Sequence, residues 1–195
     1  MPGTYTVVLT VNGKSYSQPL TVRMDPRVKT PPAALQAQFS TSQEISARLR
    51  TLAPAATQAA ELRKQLQERL KSAPAGSETA ASISSLNEWM NMVLGAGGRR
   101  PGPANDQPTL AGLRTKYLAL LGTLQEADDA PTTQTENGIA EVEQQFPQVM
   151  SKWQDMKDKQ LPLLNEKLKA ANLPEIKLAE PDAHAGASAQ DKDEE

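Results

Sequence analysis

Apolar residues recur at steps of three and four through most of residues 33–171, and this helical period constrains the fold more than any other feature. Aromatic residues make up only 4% of the chain, so the core must be built mainly from leucine, alanine, isoleucine, valine and methionine. No helix of this kind would hold its shape alone in water, so each apolar stripe needs a partner. The pattern predicts a mainly α protein, an antiparallel bundle of about four helices.

Proline, serine and glycine mark the expected ends of the first two helices. The first helix is expected to start near Pro32 and to be kinked or broken at Pro54. The second is expected to open at Ser77 and to end before the glycine-rich segment 95–103.

The third helix is expected to start near Pro108, and the last follows a tight corner at 127–132. Pro147 and Pro162 predict that the last helix is bent or starts late. The residues expected to form the apolar stripes are Leu35, Ile45, Leu49, Leu52, Ala56, Ala59, Leu62, Leu66, Leu70, Ile83, Leu86, Met90, Val93, Leu110, Leu113, Tyr117, Leu120, Leu121, Leu124, Ile139, Val142, Phe146, Val149, Trp153, Met156, Leu163 or Leu164, and Leu168.

Residues 4–23 carry the pattern of a β-hairpin. Asn12-Gly13 between two alternating segments is a strong turn signal, because both central positions of a type I′ turn need a positive φ. One face would carry mostly tyrosine, valine and leucine, the other mostly threonine and serine. Pro19 removes a backbone donor, which predicts an edge strand or a bulge. The expected register pairs Val11 with Lys14, Leu9 with Tyr16, Val7 with Gln18 and Tyr5 with Leu20.

An isolated hairpin with one apolar face is only marginally stable in water, so this one is expected to need a further sheet. We therefore divide the chain into the hairpin at 1–24, a remnant of a sandwich, a proline-rich linker at 25–32 and the helical bundle at 33–172. Residues 173–195 are expected to be a disordered acidic tail, since 175–195 hold seven acidic and two basic residues.

The composition excludes several classes of site. Cysteine is absent and His184 is the only histidine, so a cysteine nucleophile, a disulfide scaffold and a histidine-rich metal site are excluded. A formal net charge of −2 does not indicate the extended basic surface that nucleic-acid binding requires. No apolar stretch is long enough to span a membrane. The N-terminus lacks the pattern of a signal peptide, so the chain is expected to be cytoplasmic or part of a longer secreted protein.

Two loops carry residues that suit ion binding. Arg99 and Arg100 lie in the glycine-rich segment and could bind a phosphate. The segment lacks both phosphate-binding motifs, G-x-x-x-x-G-K-[ST] and G-x-G-x-x-G, which favours a simple connector between helices. Asp128 and Asp129, with Glu126 nearby, suit a hard cation, but acidic residues ahead of a helix also complement its dipole, which is the favoured interpretation.

The remaining candidates favour structural roles. Glu141 and Glu143 lie two apart on a helix and diverge, so a solvated face is favoured over a catalytic pair. Trp89 and Trp153 are expected in the core rather than stacked on a ligand, and His184 is expected to be solvated. We therefore assign no catalytic, cofactor-binding or metal-ligating residue and expect no cofactor.

Six short segments of the chain together suggest a family resemblance. They are Pro2-Gly3-Thr4-Tyr5-Thr6-Val7, Leu9-Thr10-Val11-Asn12-Gly13-Lys14, Gln18-Pro19-Leu20-Thr21-Val22, Asp25-Pro26-Arg27-Val28, Leu35-Gln36-x-Gln38-Phe39 and Ala127-Asp128-Asp129-Ala130-Pro131-Thr132. These segments resemble the C-terminal region of bacterial secreted β-propeller proteins, the sortilin-like or BNR-repeat glycosyl-hydrolase-like proteins, and the resemblance covers roughly residues 2–170. In that family an immunoglobulin-like or FlgD-like sandwich ends in such a hairpin and is followed by a helical region.

The resemblance implies a non-catalytic structural or protein-interaction module from a periplasmic or extracellular parent, with the propeller or sandwich domains or another chain as protein partner. The propeller is missing here, and no catalytic residue of the family maps onto this chain. An alternative is an accessory fragment of a hydrolase or peptidase whose catalytic part lies upstream. A helix that lies on a membrane surface is a third, less favoured hypothesis, because the polar faces of the first and last helices carry charges of both signs.

Overall fold

The computed structural model describes residues 1–95 and 107–178, and within them a β-hairpin precedes a bundle of helices. The π-helical turn joins α4 and α5 into one run, so the described part holds four helical runs, as expected. The elements are β1 (Gly3–Val11), β2 (Lys14–Val22), α1 (Pro32–Ser72), α2 (Glu78–Leu94), α3 (Leu110–Gln125), α4 (Thr133–Asp155), a π-helical turn (Met156–Gln160) and α5 (Leu161–Ala170).

The bundle is three helices across, because α2 and α3 lie end to end beside α1. A short turn at 73–77 leads α1 into α2, while Gln38 near the start of α1 donates a hydrogen bond to the carbonyl of Ala127 just after α3, at 2.6 Å. Both α2 and α3 therefore run antiparallel to α1. Gly95, which ends α2, lies against Thr109, which caps α3.

The α4–α5 run passes first α3 and then α2. Lys116 of α3 pairs with Glu141 of α4 at 2.8 Å, and Lys167 of α5 pairs with Glu78 at the start of α2 at 3.0 Å. One apolar core extends through the whole bundle. Its largest fully buried side chains are Trp153, Tyr117, Ile45, Leu52, Leu62, Leu66, Ile83, Met90, Leu110, Leu113, Met156 and Leu168.

Most of the expected apolar stripe is buried, with one correction in α1 and a choice between two alternatives in α5. In α1 the buried alanine next to Leu52 is Ala55, not Ala56, because Ala55 lies closer to the middle of the helix face that also carries Ala59, Leu62 and Leu66. In α5 Leu164 is buried, whereas the alternative residue, Leu163, is 57% exposed.

The helix starts carry the expected capping chemistry. The Ser77 hydroxyl accepts a hydrogen bond from the N–H of Ala80 at 3.1 Å, which confirms the predicted start of α2. Thr109 and Thr132 cap α3 and α4 in the same way.

The prolines interrupt the helices less than their chemistry predicts. Of the kink or break expected at Pro54, the break is wrong, since α1 is continuous from Pro32 to Ser72. Burial on both sides of Pro54 offsets the hydrogen bond that this residue cannot make. Pro147 lies inside α4, and Pro162 lies in the first turn of α5, directly after the π-helical turn.

The hairpin has the register that the sequence predicts, from Val11 opposite Lys14 to Gly3 opposite Val22, without a bulge at Pro19. Asn12 and Gly13 have φ angles of 50° and 77°, as a type I′ turn requires. Within the described residues the sheet has only these two strands, and its apolar side chains are 41–61% exposed.

The expected disorder of the tail is wrong for its first residues, because residues 173–178 fold back onto the bundle. Ile176 is only 2% exposed, and its N–H and carbonyl both bond to the side chain of Asn165, each at 2.9 Å. Gln65 and Arg69 of α1 donate to the carbonyls of Lys177 and Pro174. The rest of the predicted tail, 179–195, lies outside the described residues.

Candidate functional site

A polar cluster joins α1, α3 and α4 through four side chains. Arg48 of α1 makes a two-pronged contact with the carboxylate of Glu143 of α4, with Nη2 2.7 Å from Oε2 and Nε 3.0 Å from Oε1. The Tyr117 hydroxyl of α3 donates to the same carboxylate at 2.8 Å. Phe146 lies beneath, 4.7 Å from the Arg48 guanidinium and edge-on to the Tyr117 ring.

The cluster shifts two pKa values in opposite directions. Hydrogen bonds from the Arg48 guanidinium lower the pKa of Glu143, and the Tyr117 hydroxyl acts in the same direction. Burial raises the pKa of Tyr117 well above its ordinary value, and the bond to the Glu143 carboxylate raises it further. At neutral pH the cluster therefore holds a cation, an anion and a neutral phenol.

This arrangement clamps helices and is poorly suited to catalysis. The Glu143 carboxylate already accepts hydrogen bonds from three protein donor atoms, and Tyr117 is fully buried. A general acid or base needs a proton-transfer atom within reach of a substrate, with a pKa near the working pH. Neither Glu143 nor Tyr117 meets this requirement.

We expect Glu143→Gln to cost roughly 1 kcal/mol of stability at neutral pH, a modest value because solvent screens a pair whose side chains are at least one-third exposed. Because the pKa of Glu143 is lower in the folded protein than in the unfolded chain, the carboxylate stabilises the fold at neutral pH. This stabilisation is lost as the pH falls through the lowered pKa. Urea unfolding midpoints of variant and parent should therefore differ at neutral pH and converge once the pH falls below the lowered pKa of Glu143.

The control is Glu141→Gln, which removes the more exposed pair with Lys116. This change should lower the midpoint at neutral pH less than Glu143→Gln does. Equal acid sensitivity in the parent protein and in Glu143→Gln would contradict the stabilising role of this carboxylate.

The two glutamates diverge, as predicted, but only one lies on a solvated face. Glu141 is well exposed and pairs with Lys116, whereas Glu143 is partly buried between Arg48 and Tyr117. The expectation of a solvated face is therefore wrong for Glu143. The sequence offers one weak signal for this cluster: Arg48, Tyr117 and Glu143 each lie in or beside the apolar stripe of a different helix.

The acidic corner before α4 does not cap that helix. Thr132 accepts the capping hydrogen bond, while the Asp129 carboxylate accepts from the N–H of Ala130 at 2.7 Å. The Asp128 carbonyl accepts from the Thr30 hydroxyl at 2.6 Å, which ties the linker to the corner. In the described ranges no three acidic or histidine side chains come together as a metal site requires.

The other candidates divide between the core and the undescribed segments. Trp153 is 1% exposed and Trp89 packs partly buried against the core, as expected. Arg99, Arg100 and His184 lie outside the described residues.

An open groove of about 400 Å³, which the sequence did not predict, lies between the hairpin and the start of α1. Met24, Leu35 and Phe39 supply apolar walls, and Arg23 and Asp25 supply charge at the rim. The Asp25 carboxylate is already paired with Arg27 at 2.6 Å. Phe39 is 39% exposed, and an aromatic residue in an otherwise polar stretch of α1 was the available signal.

No protein-family model, curated protein or solved structure matches this chain. None of the described helices has the length and apolar character needed to cross a membrane.

Proposed function

We propose that this chain is a non-catalytic structural module that docks β-structure of another domain through its hairpin. In the family that the sequence resembles, this is the C-terminal helical part of a secreted propeller protein, placed in the periplasm or outside the cell. The hairpin would then be the last one of an immunoglobulin-like sandwich.

The observation that carries this proposal is the contrast between the bundle and the hairpin. The bundle buries its leucine, tryptophan and tyrosine core, while Tyr5, Val7, Leu9, Tyr16 and Leu20 on one face of the hairpin are 45–61% exposed. A contiguous exposed apolar face of this kind is typical of a surface that binds another protein layer. Each Å² of apolar surface covered there contributes roughly 25 cal/mol.

The bundle itself supports a scaffolding role. The apolar stripes of α1 and α4 are used inside the core, which leaves them unavailable for a membrane surface. The Thr30–Asp128 contact ties the linker to the end of the bundle from which the hairpin extends, and the Arg48–Glu143 clamp joins α1 to α4 further along the bundle. A firm base of this kind would present the hairpin in one orientation.

A matched pair of variants tests the docking face. Leu9 lies on the apolar face and Val8 on the opposite one, with similar exposures of 61% and 58%. We expect Leu9→Lys and Val8→Lys each to change the stability of this chain alone by no more than about 0.5 kcal/mol. In a protein that also carries the residues encoded upstream in the same reading frame, only Leu9→Lys should lower the melting temperature clearly.

Equal effects of the two substitutions in the extended protein would refute docking through this face. An upstream frame without β-rich sequence would refute the relation to a propeller parent. Robust glycoside turnover by this chain alone, abolished by one carboxylate substitution, would refute the non-catalytic role.

A further inference from the structure

The two outer edges of the hairpin differ in their capacity to take another strand. A two-residue type I′ turn is closed by a hydrogen-bonded pair, here Val11 with Lys14, and the pairs alternate from there. Residues of the intervening pairs point their N–H and C=O groups out of the hairpin. Pro19 is one of these residues, so the outer edge of β2 lacks a donor near its middle.

No strand among residues 1–95 and 107–178 pairs with the outer edge of β1. Its outward-pointing residues are Thr4, Thr6, Val8 and Thr10, and all are exposed. Gly3–Val11 contains no charged residue, no proline and no bulge, although natural edge strands are commonly protected by one of these. Such an edge is suited to pairing with another strand.

We propose that a second copy of this chain pairs with this edge, antiparallel to β1, about a two-fold axis at Val7. In this register Gly3–Val11 pairs with itself over its full length. The outward groups of Thr4 face those of Thr10 in the second copy, and Thr6 faces Val8. Each such pair exchanges two backbone hydrogen bonds.

The side chains and the shape of the chain support a second copy as the occupant. Tyr5 would lie opposite Leu9, and Val7 opposite its own copy, in the closely spaced pairs where apolar side chains make the best contact. The product is a four-stranded sheet with one continuous apolar face, which is more stable than an isolated hairpin. The two bundles would lie at opposite ends of strands about 30 Å long and would not collide.

The asymmetry of the edges also limits the assembly to two chains. After β1 pairs, only the β2 edges remain, and each carries Pro19. A two-fold contact that uses the open edge on both copies is closed, so it gives a dimer rather than a fibre. This inference goes beyond the proposed function, since it concerns the edge of the hairpin and not its apolar face.

Sedimentation velocity of this chain over a range of concentrations tests the proposal. We expect the mass to rise from 21.0 kDa to twice that value. Thr6→Pro, opposite Pro19 in a pair that already accommodates proline, should keep the protein monomeric. The matched control Ser17→Pro places a proline on the outer edge of β2 and should leave the dimer intact.

A charge exchange tests the register without proline. Thr4→Lys with Thr10→Lys places like charges opposite each other in the dimer and should abolish it, whereas Thr4→Lys with Thr10→Glu should restore it. A monomer at every concentration would overturn the proposal. A dimer that survives Thr6→Pro but is lost in Leu9→Lys would also overturn it, because the copies would then be stacked through their apolar faces.

Discussion

Trp153→Ala is expected to lower the free energy of unfolding by about 3–5 kcal/mol, the range for truncating a fully buried tryptophan. Trp153 is 1% exposed, and its neighbour Lys152 reaches Gln107 just ahead of α3. The indole therefore lies near the level where α2 ends and α3 begins. Truncation of this side chain therefore leaves a cavity inside the core of the bundle.

Urea unfolding followed by circular dichroism measures this loss, since the substitution removes one of two tryptophans and compromises fluorescence. Trp89→Ala is the matched control. Trp89 packs partly buried against the same core, so its truncation should lower the free energy of unfolding clearly less than Trp153→Ala does. Equal losses in the two variants would contradict a central role for Trp153 in the core.

Local chemistry made the hairpin and the helix starts predictable. Asn12-Gly13 specifies the turn and hence the register, and Ser77 specifies the start of α2 by its own hydrogen bond. The arrangement of α2 and α3 end to end was not predictable in this way. The two helices meet where Gly95 lies against Thr109, and both residues carry only the ordinary signals for helix ends.

Long-range contacts explain the two clearest departures from the sequence expectations. Ile176 lies in an acidic, proline-containing segment that composition assigns to a tail, yet Asn165 binds both of its backbone groups and the core covers its side chain. Glu143 has a helix pattern typical of a solvated residue, yet it meets Arg48 and Tyr117 from two other helices. In both cases the partner residue belongs to another element, and the spacing of apolar residues along one helix does not reveal such a contact.

The π-helical turn decides which of two adjacent leucines enters the core. Buried residues follow helical steps of four and three from Val149 through Trp153 to Met156, and the next buried residue is Leu161, a step of five. A π-helical turn adds one residue to a turn and so shifts the phase of everything after it. An uninterrupted α-helix would instead turn Leu163 inward.

Leu164→Ala should therefore cost about 2–5 kcal/mol, while Leu163→Ala should stay within about 0.5 kcal/mol of the parent protein. The residues are adjacent and chemically identical, with exposures of 4% and 57%, so intrinsic helix propensity cancels between the two variants. Thermal and urea unfolding of both variants measure the difference. A larger loss for Leu163→Ala would mean that α4 continues into α5 without the extra residue, because only an unshifted phase buries that leucine.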